Sequence, residues 1–232
     1  LVAINDPGDH EQLVHLLRYD STHGPADGVK FADSTLRFGR QKAVMYSERD
    51  PKNLPWASLG IDLVIEASGY FTKRHLAQAH IDAGASRVLV SAPCADADGT
   101  IVYGVNHTKI GPGDTVISAA SCTTNCLAPL VAALDQAYGL LGGVMTTVHA
   151  VTNDQRLLDL PHEKDRRRAR SALTNIIPTS TGAAKALKLV FPEATWTMDG
   201  LSIRVPVLDV SLVDLAVRTE VVPSADEVRE LF

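Results

Sequence analysis

Short apolar runs bounded by polar or glycine-bearing turns recur along the first half of the chain, and helical spacings fill the gaps between them. Residues 1–4 form the first run, ending at Asn5-Asp6. Asp9 is placed to open a helix, with Gln12 as its capping-box partner, and Leu13, Val14, Leu16 and Leu17 give that helix one apolar face. Residues 29–48 predict short β pieces. A second buried strand is predicted over 61–67, ending at Ser68-Gly69. Thr72 predicts the cap of a helix over 73–83 that stops at Gly84, and residues 87–90 predict a further strand, followed by Ser91. Strands alternating with helices at this spacing imply βαβ units and a parallel sheet covered on its faces. Ligands on such sheets bind past the carboxyl ends of the strands, where Asp6, Ser68, Gly69 and Ser91 lie.

Residues 101–105 and 115–119 predict two more strands. The second runs into Ser121-Cys122-Thr123-Thr124-Asn125-Cys126 and then a helix bearing Leu127, Leu130, Val131 and Leu134. After Gly142-Gly143 the pattern changes. A strand over 144–151 leads into a long polar loop, a helix over 181–190, and strands over 201–207 and 210–218. Consecutive long strands predict an antiparallel sheet and an α+β second domain. The expected domains are 1–121 and 122–232. The opening strand and the helix signal over 224–232 both lie at the chain's limits, which predicts a piece of a longer protein.

Composition narrows the function classes. Of 232 residues, 45% are apolar and 21% charged, as in a globular protein and unlike a disordered one. The 22 basic against 27 acidic residues leave a net charge of −5, which argues against a nucleic-acid partner, since phosphate binding needs a basic face. Three cysteines make no disulfide framework and fit a reducing, cytoplasmic setting. No run approaches the ~18 apolar residues that span a bilayer, and no secretory leader opens the sequence, so no membrane partner is expected.

The candidate chemistry centres on Cys122, where a strand meets a helix. Helix N-terminal amides favour an anion there and would stabilise an oxyanion on an attacked carbonyl, so the residue reads as a nucleophile or, alternatively, as a small buried hydrophobe. His149 ends a predicted strand beside a polar loop. It reads as a general base or as an ordinary hydrogen-bonded histidine, and only tertiary structure could bring it to Cys122. Cys126, one helical turn on, reads as packing, because Cys-x3-Cys without a second ligand pair is a poor metal signal. Cys94 has no partner. Thr179-Ser180-Thr181-Gly182-Ala183-Ala184-Lys185 reads as a helix start able to cradle phosphate, or as a plain capped helix. Arg204 shares a strand face with Ser202, opposite Ile203 and Val205, so it either faces solvent or meets an anion. Asp6 could accept hydrogen bonds from ribose hydroxyls, or simply cap its own loop.

Together these residues form a recognisable pattern. Ser121-Cys122-Thr123-Thr124-Asn125-Cys126-Leu127-Ala128-Pro129 resembles the active-site segment of the phosphorylating glyceraldehyde-3-phosphate dehydrogenase family. In the same order as in that family stand Ile4-Asn5-Asp6, 19–24, Glu48-Arg49-Asp50-Pro51, Glu66-Ala67-Ser68-Gly69, 145–150, 152–155, 175–185 and Arg204-Val205-Pro206. The resemblance implies a Rossmann-type NAD-binding domain, whose glycine-rich turn belongs before Leu1, and a catalytic domain continuing past Phe232. It implies Cys122 as nucleophile and His149 as its base. Ser121, Thr123, Thr152, Thr181, Gly182 and Arg204 would hold two phosphate positions, and Asp6, Arg49, Ser68, Gly69 and Ser91 would contact NAD. It further implies glyceraldehyde 3-phosphate and inorganic phosphate as substrates, a homotetramer, no metal, and little activity for these residues alone. Ser68 stands where the family has threonine, and residues 162–166 depart from its pattern. The arginine run over 166–170 is read as serving this loop and subunit contacts. The close alternative is an erythrose-4-phosphate dehydrogenase, with water in place of phosphate. A thiol hydrolase or acyltransferase and a non-catalytic interaction protein are more distant readings.

Overall fold

A computed structural model describes residues 1–232. The chain forms two compact units, Leu1–Gly99 with Gly111–Ala119, and Thr100–Ile110 with Ala120–Phe232.

The first unit is α/β, as the alternation predicts. Ala3–Asn5 pairs parallel with Gln41–Tyr46, which continues antiparallel into Thr35–Phe38 and Val29–Ala32. A second sheet sets Leu63–Glu66, Arg87–Val90 and Val116–Ser118 side by side, all parallel. One face is covered by the helix Arg74–Asp82, whose Ala77 packs against Val88, Val90 and Val116, while Leu63 and Ile65 stay exposed. The helix His10–Arg18 buries Val14 against Val29, Leu36 and Met45, and Asp9 caps it by accepting from the Glu11 and Gln12 amides. One expected cap is absent. Thr72 does not cap its helix, which begins after Lys73. The Arg74 amide instead donates to Asp96 Oδ1 at 3.0 Å, a charged acceptor reaching in from a loop.

The second unit is built on one mixed sheet in the order Ile177–Ser180, Met198–Val205, Leu140–Ala150, Ser211–Thr219. Its three ladders are mixed: Leu140–Ala150 runs parallel to Met198–Val205 and antiparallel to Ser211–Thr219, while Ile177–Ser180 is antiparallel to Met198–Val205. The consecutive strands over 198–205 and 211–219 therefore do not pair with each other, because Leu140–Ala150 lies between them. The glycine pair at 142–143 sits inside that strand instead of preceding it. A Cβ on Gly143 would stand 2.6 Å from Ala216 O, and one on Gly200 2.5 Å from Met145 O, so close strand approach requires glycine at both positions. Helices Cys122–Tyr138 and Ala183–Val190 cover one face, burying Leu127, Val131, Leu187 and Val190 with Met145 and Trp196. Ala225–Leu231 is a helix with a reciprocal Ser224–Glu227 capping box.

Two sequence expectations fail locally. Residues 101–105 do not form a strand, because Asn106 diverts their backbone: its Oδ1 accepts from Val102 N–H at 2.8 Å and its Nδ2 donates to Thr100 O at 2.9 Å. Thr179 and Ser180 belong to a strand, so the helix expected from 181 begins at Ala183. No helix is long and apolar enough to cross a membrane.

Replacing Gly200 by Ala puts a methyl group into backbone and is expected to destabilise the protein by about 1–3 kcal/mol in urea unfolding. An unchanged midpoint would show that the strand spacing is not set by that glycine.

Candidate active site

The site is assembled within the second unit. Ser121 is the N-cap of the helix Cys122–Tyr138, and its hydroxyl accepts from Thr124 N–H at 3.1 Å. Cys122 is therefore the first helical residue, at the helix end that favours an anion. The alternative of a buried packing cysteine is excluded, since Cys122 is exposed.

His149 comes to it from the end of Leu140–Ala150. In that strand Met145, Thr147 and His149 alternate onto the covered face, leaving His149 8% exposed. Its Nε2 lies 3.3 Å from Cys122 Sγ, and its Nδ1 lies 2.7 Å from Ala150 O. Nδ1 thus faces an acceptor, Ala150 O; with its proton on Nδ1 the ring turns the Nε2 lone pair to the sulfur. Arg204, directly across the ladder from His149, donates from Nη1 to the same Ala150 O at 3.0 Å and also contacts His149 Nδ1. The arginine thus faces the site, resolving its two readings against free solvation. Burial pushes its guanidinium below its ordinary value, an effect that Cys122 and Asp154 partly offset, and its Nε is buried without a partner. A buried guanidinium with an unused donor is suited to receive an anion.

A hollow of about 400 Å³ opens on this pair, lined in part by Cys122, Thr123, His149 and Thr152. Thr152 is steadied by Gln155, whose Oε1 accepts its amide at 2.9 Å. Ser121, Thr181, Gly182 and Arg204 do not line the hollow. Gly182 is the N-cap of Ala183–Val190, with the Thr181 hydroxyl accepting from Ala183 N–H at 3.2 Å. Cys126 is exposed and lines the hollow, which corrects its reading as packing. Cys94 is buried, and that burial pushes its thiol up to about 11.

Sequence reasoning missed the segment 208–211, which forms part of the lining. Val210 there has φ 70°, a strained conformation for a β-branched residue, and the sequence carries no signal for it. It also missed Thr147, whose hydroxyl is buried without a partner beside the site. The alternation that predicts the strand places Thr147 on the face of His149, which was signal enough. Three of the four arginines of the run are paired within their own loop: Arg167 with Asp165, Arg168 with Asp154, and Arg170 with Asp159.

In the first unit, Asp6, Ser68, Gly69 and Ser91 each follow the carboxyl end of a parallel strand, and Arg49 follows Gln41–Tyr46; Ser68, Gly69, Ser91 and Arg49 are exposed. Asp6 uses Oδ1 to accept Gly8 N–H at 2.8 Å and leaves Oδ2 for a hydroxyl donor. Gly69 has φ 78° with open space where a Cβ would be.

Sequence comparison bears on both units. The profile "Glyceraldehyde 3-phosphate dehydrogenase, NAD binding domain" matches residues 1–74, and "Glyceraldehyde 3-phosphate dehydrogenase, C-terminal domain" matches residues 121–232. The chain is 50% identical over 230 residues to the glyceraldehyde-3-phosphate dehydrogenase of Geobacillus stearothermophilus, covering 98% of this chain and 68% of that protein. It is likewise 50% identical to that of Streptomyces coelicolor, covering 100% and 69%. Against the chloroplastic glyceraldehyde-3-phosphate dehydrogenase A of Zea mays it is 49% identical, covering 100% and 58%. With identity sustained across both units and the cysteine–histidine pair assembled, the chain belongs to the glyceraldehyde-3-phosphate dehydrogenase family.

Proposed function

We propose that the protein oxidises glyceraldehyde 3-phosphate with NAD and inorganic phosphate to give 1,3-bisphosphoglycerate, residues 1–121 serving the cofactor and 122–232 the chemistry. The observation that carries this reading is the 3.3 Å approach of His149 Nε2 to Cys122 Sγ at the start of a helix.

The sulfur bonds to the aldehyde carbon as its proton passes to His149 Nε2. The carbonyl oxygen, now negative, is stabilised by amides of the first helical turn and takes that proton back from His149 Nε2 to give a hemithioacetal. His149 then removes the hydroxyl proton. NAD, when bound, supplies the two-electron acceptor for the oxidation that leaves a thioester on Cys122. A phosphate oxygen bonds to the thioester carbon, the carbon–sulfur bond breaks, and the sulfur leaves as thiolate with an acyl phosphate as product. Thr152 and Arg204 are assigned to one phosphate position, and Ser121, Thr123, Thr181 and Gly182 to the other. The unpaired Arg204 Nε supports the first assignment.

Asp6 would bind ribose hydroxyls through Oδ2 and repel a 2′-phosphate, which favours NAD over NADP. Val144, Val148, Leu201 and Leu212 are exposed on one face of the second sheet, Val148 directly opposite Leu212. Such an apolar face supports a homo-oligomer, taken as a tetramer, and the overall composition supports a cytoplasmic enzyme.

The expected outcomes concern a chain of the relatives' full length. Cys122→Ser is expected to lower kcat by at least about 10³-fold, since a serine hydroxyl lacks the reactivity of a thiolate. Near-normal turnover would rule out the covalent scheme. NADH formation should require inorganic phosphate in steady state. Sustained turnover without phosphate, with release of the free acid, would indicate the erythrose-4-phosphate dehydrogenase type of chemistry. Asp6→Ala should narrow the kcat/KM preference for NAD over NADP roughly tenfold, equivalent to about 1.4 kcal/mol. An unaltered ratio would remove Asp6 from cofactor selection.

A further inference from the structure

The first unit contains a second line of buried polar side chains, which the chemistry above does not use. Trp56 and His80 are each 4% exposed, and Glu66 is 6% exposed. The indole N–H of Trp56 lies 3.0 Å from His80 Nδ1. His80 Nε2 lies 3.1 Å from Glu66 Oε2. Glu66 Oε1 in turn meets both the amide (2.7 Å) and the hydroxyl (2.5 Å) of Ser68.

Donor and acceptor chemistry orders this line in one direction. An indole nitrogen can only donate, so His80 Nδ1 bears a lone pair and Nε2 bears the hydrogen. That hydrogen is donated to Glu66. Burial pushes the Glu66 carboxyl up, but the hydrogen bonds from His80 and Ser68 outweigh it and hold the group below its ordinary value, so it is an ionised, pure acceptor. The Ser68 hydroxyl hydrogen therefore turns inward onto Glu66. The hydroxyl oxygen accepts Tyr70 N–H at 3.1 Å and keeps one lone pair on the exposed side. A serine at a strand end ordinarily donates or accepts as its ligand requires; this one is committed.

We infer that Ser68 is an acceptor-only subsite that receives a ribose hydroxyl of the cofactor and disfavours a phosphate oxygen, with Trp56 and His80 as its positioning residues. The inference rests on the NAD-binding reading above. It adds a polarity to Ser68 and gives a role to two side chains buried beneath it. Threonine would serve as well as serine, because only the hydroxyl is used.

The test combines nitrogen-15 NMR of His80 in the free protein with equilibrium titrations of NAD and of NAD analogues lacking single ribose hydroxyls. His80 should show the Nε2–H tautomer, and Trp56→Phe should abolish its dominance. Ser68→Ala should weaken NAD binding about tenfold. Ser68→Thr should restore binding, while Trp56→Phe and Glu66→Gln should each weaken it by roughly three- to tenfold. One deoxy analogue should lose about as much affinity as Ser68→Ala does, and should lose nothing further in that variant. An Nδ1–H or doubly protonated His80, or NAD binding unchanged by Ser68→Ala, overturns the inference and leaves the cofactor reading standing. These titrations use a chain of the relatives' full length, and a wild-type chain of that length that binds no NAD overturns both. His80→Ala is avoided because it opens a cavity; the Trp56 and Glu66 variants preserve most of the packing.

Discussion

The register between Leu140–Ala150 and Met198–Val205 is the constraint on which the catalytic arrangement depends. It sets His149 opposite Arg204 and Thr147 opposite Ser202, all on the covered face. A slip of one residue would turn His149 to the other face and leave Cys122 alone at its helix end. The register is held by close contact at Gly143 and Gly200, where any side chain would meet backbone. It is also held by Met145, buried beneath the helix that carries Cys122. The backbone geometry that makes the sheet compact is thus the same geometry that sets sulfur and imidazole within reach.

The histidine's role follows from a bond it makes on its far side. Ala150 O lies 2.7 Å from His149 Nδ1 and 3.0 Å from Arg204 Nη1, so a single carbonyl anchors both the imidazole and the guanidinium. The first unit uses the same logic with other groups. Trp56 fixes the tautomer of His80, and Glu66 fixes the hydroxyl of Ser68. In each case a group of unambiguous donor or acceptor character lies behind a group of ambiguous character and decides what it offers to a ligand.

Much of this was legible in the sequence, and the exceptions have physical causes. Strands such as Leu63–Glu66 and Arg87–Val90, and the helix after Ser121, follow from apolar spacing and caps, because local pattern and tertiary burial agree there. Residues 101–105 carried a strand pattern that the Asn106 side chain overrode. The order of the second sheet was hidden because consecutive strands were separated by one formed much earlier in the chain, and no local signal encodes that insertion. In the site, Cys122 could be singled out by its place before a helix, yet its partner could be chosen among eight histidines only through the family resemblance. Parity placed Arg204 with Ser202 correctly but could not say which face was covered. Val210 and its neighbours, which close one side of the hollow, hold a backbone conformation that valine rarely adopts.

The central claim is that contact with His149 makes Cys122 the reactive thiol of the chain. Limited alkylation with iodoacetamide at neutral pH, followed by peptide mapping, tests it most directly. Cys122 should be labelled well before Cys126, which is also exposed one turn along the same helix, and His149→Asn should slow that labelling by about 10²-fold or more. Equal labelling of the two cysteines, or a rate indifferent to His149→Asn, would contradict the account.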